Sequence, residues 1–272
     1  MMNRTSARCY QLALVPCLLG MALVTAACQP TIEGNGIIED RRAAFSGASR
    51  IVLGNSLRAS FRLQERAAEG DTARVELDMS LDENLYDHLR LRRNGGTVEI
   101  TTRNDVHLDA TVMRIDVMAT GVHALRVHDA ASAELKDTKL GCLDLRVEDA
   151  SRLRTNDLEV GRLDAHAEDA SDLHIDGLYA AECTLIAEDA SRVEVQGDCR
   201  DGTLRAHDAS SLSARHFSID SLELRVANAS SLSATVIKDV YGSVTDASSA
   251  LIYGDPPRKD VSARDASKVS YR

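Results

Sequence analysis

Residues 143–155 read Leu143-Asp144-Leu145-Arg146-Val147-Glu148-Asp149-Ala150-Ser151-Arg152-Leu153-Arg154-Thr155. Apolar and polar residues alternate on both sides of Asp149-Ala150-Ser151, which is the period of a strand with one buried face and not of a helix. The phrase recurs as Asp129-Ala130-Ala131, Asp169-Ala170-Ser171, Asp189-Ala190-Ser191, Asp208-Ala209-Ser210, Asn228-Ala229-Ser230, Asp246-Ala247-Ser248 and Asp265-Ala266-Ser267. Successive intervals are 20, 20, 20, 19, 20, 18 and 19 residues. A fixed period over half of a chain marks a solenoid whose units bury their apolar faces only by stacking on one another.

Counting from each Asp, positions -6, -4 and -2 are apolar, as in Leu163, Ala165 and Ala167 or Leu222, Leu224 and Val226. Positions +4 and +6 continue the set with Leu173 and Ile175 or Val193 and Val195, and a third apolar patch follows at Leu158 and Val160. Three short faces per turn predict a triangular coil. The expected fold class is therefore all-β, a parallel β-helix or β-solenoid with about eight coils of roughly 20 residues. A leucine-rich repeat would need its Leu-x-x-Leu-x-Leu phrase, and a nonapeptide calcium roll would need a shorter period and more than the 16 glycines present.

Upstream, residues 50–57, 59–63, 74–79, 88–92 and 97–102 read as strands without the Asp-Ala-Ser phrase, with Asn94-Gly95-Gly96 as a turn. They predict a less regular N-terminal β cap over residues 39–122, ahead of the repeat solenoid at 123–272. Near the end, Pro256, Pro257, Arg258 and Lys259 read as protection of a strand edge. Residues 1–27 carry Arg4 and Arg8, an apolar stretch over 12–24, and Thr25-Ala26-Ala27 before Cys28. This is the pattern of a secretory signal. The small residues before cysteine resemble a bacterial lipobox, which implies lipidation at Cys28 and a lipid-anchored linker over 28–38. The Gln29 that follows resembles lipoproteins sorted to an outer membrane. The membrane, reached through that anchor, is thus one expected partner.

The chain has 272 residues with 32 Lys+Arg against 42 Asp+Glu, a net charge of -10. Without Arg4 and Arg8 the remainder holds 30 basic and 42 acidic side chains. A nucleic-acid partner is excluded by that balance. Aromatics are 3% of residues and Trp is absent, so aromatic stacking clefts are disfavoured. Past Cys28 the cysteines are Cys142, Cys183 and Cys199, an odd number in a compartment that permits disulfides. They read as buried small hydrophobes, with a Cys183–Cys199 bridge as the alternative.

Strand parity places Asp129, Asp149, Asp169, Asp189, Asp208, Asn228, Asp246 and Asp265 on the side of the core leucines, together with Ser151, Ser171, Ser191, Ser210, Ser230, Ser248 and Ser267, unless a bulge flips the corner. Stacked carboxylates ~4.8 Å apart repel by about 3–4 kcal/mol at an effective dielectric of 20, so a dry ionised ladder is excluded. Two arrangements satisfy this. Each Asp accepts its own turn amides as an Asx-turn while the Ser hydroxyls bridge coils, or carboxylates and carbonyls hold Ca²⁺ between coils. Ala in place of Gly argues against positive φ at the corner. Glu148, Glu168 and Glu188 read as a solvated outer row flanked by His128 and His207, two histidines too far apart to share a metal. There is no Cys-x-x-Cys, Gly-x-Ser-x-Gly or phosphate loop. Neither catalytic residues, a metal nor a cofactor is expected.

Gly34-Asn35-Gly36, the run Asp82-Glu83-Asn84-Leu85, the strand Gly96-Thr97-Val98-Glu99-Ile100, the repeats and Ile252-Tyr253-Gly254-Asp255-Pro256 resemble the putative auto-transporter adhesin head GIN domain family over residues 34–272. The resemblance implies a bacterial envelope protein, often a lipoprotein, with a β-helix-like fold. It departs from the family's Ser-Gly-Ala/Ser-Ser/Gly turn, kept here only at Ser46-Gly47-Ala48-Ser49. The function expected is a non-enzymatic, lipid-anchored envelope solenoid for adhesion, scaffolding or binding of an unknown envelope or extracellular ligand. A polysaccharide-acting β-helix enzyme and a periplasmic regulatory lipoprotein are the alternatives.

Overall fold

The computed structural model describes residues 30–66, 72–103 and 106–272, so the leader and Cys28 lie outside the described residues. The N-terminal part holds β1 (Thr31–Glu33), β2 (Ile38–Ser46), β3 (Arg50–Leu53), β4 (Arg58–Gln64), β5 (Arg74–Asp82), β6 (Leu89–Asn94), β7 (Thr97–Thr102), β8 (His107–Asp109) and β9 (Met113–Thr120). The repeats follow as β10 (Ala124–Val127), β11 (Ser132–Val147), β12 (Arg152–Ala167), β13 (Asp172–Ala187), β14 (Arg192–Ala206), β15 (Ser211–Val226), β16 (Ser231–Val244), β17 (Ser249–Tyr253), β18 (Arg258–Ala263) and β19 (Lys268–Tyr271). No helix among the described residues is long and apolar enough to cross a membrane.

The fold is an all-β solenoid of about seven turns, one fewer than the eight read from the repeats. Each long strand bends around the corners and pairs in parallel with the next coil, so Leu145 lies beside Ala165, and Ala165 beside Leu185. The residues at -6, -4 and -2 stack into inner columns, and Leu145, Ala165 and Leu185 are fully buried. Alternation of this kind buries one face of every strand, and stacking removes the unpaired edges that an isolated coil would expose.

Coils of 20 residues pair without a break, whereas β13–β14, β14–β15 and β15–β16 show register shifts. In β13–β14 the shift falls between Ile175 and Leu178, one corner beyond the Asp-Ala-Ser phrase. Shortening a coil is thus absorbed away from the phrase, in β15–β16 at two places, between Ala214 and Ser218 and between Ile219 and Ser221, and the phrase stays in register.

The cap is more mixed than a run of parallel strands. β3 and β4 stack on β10 and β11 as one further coil. β5 runs antiparallel to both β2 and β9, and β6 antiparallel to β7 across the Asn94–Thr97 turn. Residues 88–92, read as a strand, divide between a 3₁₀ turn at Glu83–His88 and β6. The first coil has its own corner, Asn55-Ser56, with φ of +59° and +58°. Ser56 N–H donates to Asp129 O at 2.8 Å, the rung that Ala130 makes to Asp149 O one coil later at 2.9 Å. Periodicity missed this corner because a long insertion of antiparallel strands separates it from the next.

Candidate functional site: the corner ladder and the outer walls

The corner is a left-handed pair. Asp149 and Ala150 have φ of +56° and +58°, and Ser151 N–H closes back onto Glu148 O at 3.2 Å. Positive φ at both central residues marks a type I′ turn. Every repeat shares it, including Asn228-Ala229 at +57° and +59° and Asp265-Ala266 at +54° and +60°. The expectation that Ala excludes positive φ is therefore corrected: Ala occupies the strained position in all eight phrases. Asp and Asn tolerate the first position because a short polar side chain suits left-handed backbone.

This corner also corrects the parity. The left-handed pair swings the Asp side chains into solvent, while Ser151, Ser171, Ser191, Ser210, Ser230 and Ser248 stay buried and Ser267 in the last coil is half-buried. From Ser171 onward the serines bridge coils. Ser171 N–H donates to Ser191 Oγ at 3.0 Å, Ser191 to Ser210 at 3.2 Å, Ser210 to Ser230 at 3.1 Å, Ser230 to Ser248 at 3.1 Å and Ser248 to Ser267 at 3.2 Å. The Asp row makes its rungs through the main chain: Ala150 N–H reaches Asp169 O and Ala170 N–H reaches Asp189 O. Among the described residues the repeat Asp carboxylates do not form Asx-turns. They find neighbours instead, as where Asn228 Nδ2 donates to Asp208 Oδ1 at 2.8 Å and Thr245 Oγ1 to Asp246 Oδ2 at 2.7 Å. In water their mutual repulsion falls below ~1 kcal/mol, which removes the electrostatic need for a cation between them.

The glutamate row is not a solvated face. Glu148 is only 8% exposed and accepts from Arg126 Nε at 2.9 Å. Burial raises the Glu168 carboxyl above its ordinary pKa; His166 pulls it down, and the charges of Glu148 and Asp169 add to the rise. His166, passed over in the sequence, lies within this row with Nε2 3.2 Å from Glu188 and Nδ1 3.2 Å from Arg146. A guanidinium only donates, so in a neutral ring Nδ1 accepts from Arg146 and Nε2 donates to Glu188. His166, Glu168 and Glu188 converge as metal ligands would. A second convergence joins His128 to Asp129 and Asp149, with His128 Nδ1 2.7 Å from Asp129. The ring rests on Gly54, where a β-carbon would come within 2.8 Å of Cε1 and Nε2.

The thiols differ. Cys183 and Cys199 are buried and free, and Cys142 is exposed at a corner, against the expectation that all three sit inside. Contact with Cys199 and burial push the Cys183 thiol far above its ordinary pKa. The third wall carries a recess of about 670 Å³ where Tyr179, 66% exposed, stands over Gly141, Gly161 and Ala181.

The two motifs Gly34-Asn35-Gly36 and Asp82-Glu83-Asn84 meet in space. Asp82 is fully buried, and its carboxylate accepts Gly36 N–H at 2.7 Å and Thr111 N–H at 2.8 Å. Burial alone would raise its pKa, but the donors from Gly36, Thr111 and Val112 outweigh it and hold the carboxyl below the usual range. A β-carbon at Gly34 would lie 2.4 Å from Asp82 Cγ, so only glycine fits there. Asn35 Nδ2 donates to Glu83 and Asn84 Nδ2 to Glu33 O, closing the clasp.

A solenoid with a clasped N-terminal cap and serine-stitched corners places the chain in the class of capped parallel β-solenoids. It belongs to the family described as "Putative auto-transporter adhesin, head GIN domain", which it matches over residues 55–256. Solved structures share the fold. A "putative lipid binding protein" from Parabacteroides distasonis superposes with a TM-score of 0.75 at 16% identity, covering 89% of this chain and 99% of its own. A "putative adhesin" from Parabacteroides merdae gives 0.73 at 11% identity, with 89% and 99% covered. Another from Parabacteroides distasonis gives 0.68 at 14%, with 89% and 100% covered. No curated protein matches the chain.

Proposed function

We propose that the protein is a non-enzymatic binding module of the cell envelope, held by a lipid on Cys28 and presenting its solenoid walls to an extended ligand for adhesion or scaffolding. One observation carries the reading: the coils stack with their corner phrase in constant register, so the wall beside the corners lines its side chains up in continuous columns along the axis. A repeated surface suits a repeated ligand. The leader and the small residues before Cys28 support envelope targeting, and the adhesin-like family supports binding as the activity. Carboxylates that recur outward in a column, without converging on one recess, favour binding over glycoside cleavage. Mass spectrometry of the mature chain tests the anchor: acyl chains on an N-terminal Cys28 are expected, and an unmodified terminus contradicts it. Capture of envelope components on the immobilised full chain tests the binding, and capture of none contradicts it.

A further inference from the structure

We infer that a groove across β9, β4, β11 and β12 is a binding site for the acidic groups of a glycan, carboxylate or sulfate. The recess has a volume of about 510 Å³ and brings together Arg58, Arg114, Arg152 and Arg154. Only Asp116 and Glu134 oppose them along its lining, on a protein whose net charge is -10. Arg114 and Arg152 hold carboxylates of their own, Asp116 at 3.2 Å and Asp172 at 3.3 Å. Arg58 and Arg154 form no ion pair or side-chain hydrogen bond with the described residues, and both are exposed. Two guanidinium groups therefore stand unneutralised by the described residues in a concave place, where a planar fork best engages an oxyanion through paired hydrogen bonds.

The register sets the geometry. Ser132 pairs with Arg58 on one side and Arg152 on the other, so the two arginines flank a small hydroxyl residue at a separation of ~10 Å between their α-carbons. Arg154 lies two residues further along the same strand as Arg152 and faces the same way. An oxyanion seated over Ser132 thus has Arg58 on one flank, Arg154 on the other beside Arg152, which already holds Asp172, and a hydroxyl beneath it. A neighbouring recess of about 550 Å³ shares Arg58, Ser132 and Arg152 and continues to His107, so the groove runs on past this point.

The occupant follows from the alternation of signs. A continuous polyanion such as nucleic acid would meet Asp116, Glu134 and Asp172 as well as the arginines, at a repulsive cost. A ligand whose anionic groups are spaced by neutral, hydroxyl-bearing units meets both: its anions face the guanidinium groups, and its hydroxyls donate to the carboxylates. An acidic glycan has that pattern. An anionic bilayer does not, because the acidic surface around the groove opposes a charged plane. The inference rests on the binding-module reading for its choice of an extended ligand.

Titration calorimetry on the full chain would use oligogalacturonate, a chondroitin sulfate oligosaccharide, neutral dextran and phosphatidylglycerol vesicles as probes. Binding of oligogalacturonate, of the sulfated oligosaccharide, or of both is expected, weakening as salt rises and at least tenfold weaker in Arg58→Gln/Arg154→Gln at an unchanged melting temperature. Arg58→Lys/Arg154→Lys should fall between, since it keeps the charge and loses the fork. If the glutamine variant does not fold, the lysine variant and the salt dependence of the wild type decide. Acidic-glycan binding that the variants leave unchanged would overturn the groove while leaving the module reading in place. Equal affinity for dextran, or binding to vesicles alone, would overturn the ligand class. No binding to any probe by a chain that still captures envelope components would overturn the inference alone, and no capture of either would overturn both readings.

Discussion

The alanine of each corner sits where glycine is usual. Left-handed backbone costs an L-residue about 1–2 kcal/mol, partly offset because alanine loses less entropy on folding. Ala150→Gly is therefore expected to stabilise the protein by about 0.5–1 kcal/mol in denaturant unfolding, and a loss of stability would mean that the methyl group packs usefully at the corner. The strain was illegible in the sequence, because alanine says nothing about φ and the rule applied to it pointed the other way. Asp82 shows a different gap: the motif was visible, but its partner motif lies 46 residues earlier, as the Gly36–Asp82 contact records. Its carboxyl is held below the ordinary range, so its contribution is fully present above the unfolded value of ~3.9 and is lost as pH falls through the lower folded value. Asp82→Asn, which turns an acceptor oxygen into a donor, should melt lower than wild type at pH 7. The gap should close below about pH 4, and a pH-independent difference would contradict the assigned role.

At the level of the strand and coil, alternation was enough to place the core, since buried Leu145 and Val147 bracket outward Arg146 as a period of two requires. Leu145→Asp removes a contact worth about 1.5–3 kcal/mol and leaves a carboxylate between Leu125 and Ala165. Neighbouring coils should be lost together, seen as a large cooperative drop in the strand signal of circular dichroism, and a wild-type spectrum and midpoint would refute the parity. Parity failed at the Asp of each phrase, because a two-residue left-handed turn resets the side-chain direction that an extended strand would keep, and it is reset again at the second corner, where Thr155 and Leu158 are both buried with Asp157 at φ +56° between them. The cap was legible as strands and not as topology. Nothing in 74–82 distinguishes a strand that pairs antiparallel on both sides from one that stacks in parallel, since both bury alternate residues.

For the molecule as a whole, the outward Asp column makes cation dependence a measurable question. With the carboxylates in water, chelator is expected to leave the melting temperature of the wild type unchanged. Asp169→Asn should stay within about 0.5 kcal/mol of it, because Asn228 already fills an equivalent place with a bond to Asp208. A fall of several degrees on adding chelator would restore the calcium ladder. Repetition, acidity and the leader were all readable from residue order, and they pointed to an envelope solenoid. The arginine groove was not, because Arg58 and Arg154 meet only through a coil whose sequence lacks the repeat phrase. The most direct test of a non-enzymatic binding module is to pass an acidic polysaccharide of known chain length over the immobilised full chain and measure both its retention and its length on elution. Retention with unchanged length is predicted. Shortened chains would contradict it, whereas no retention at any salt concentration would overturn the arginine groove alone.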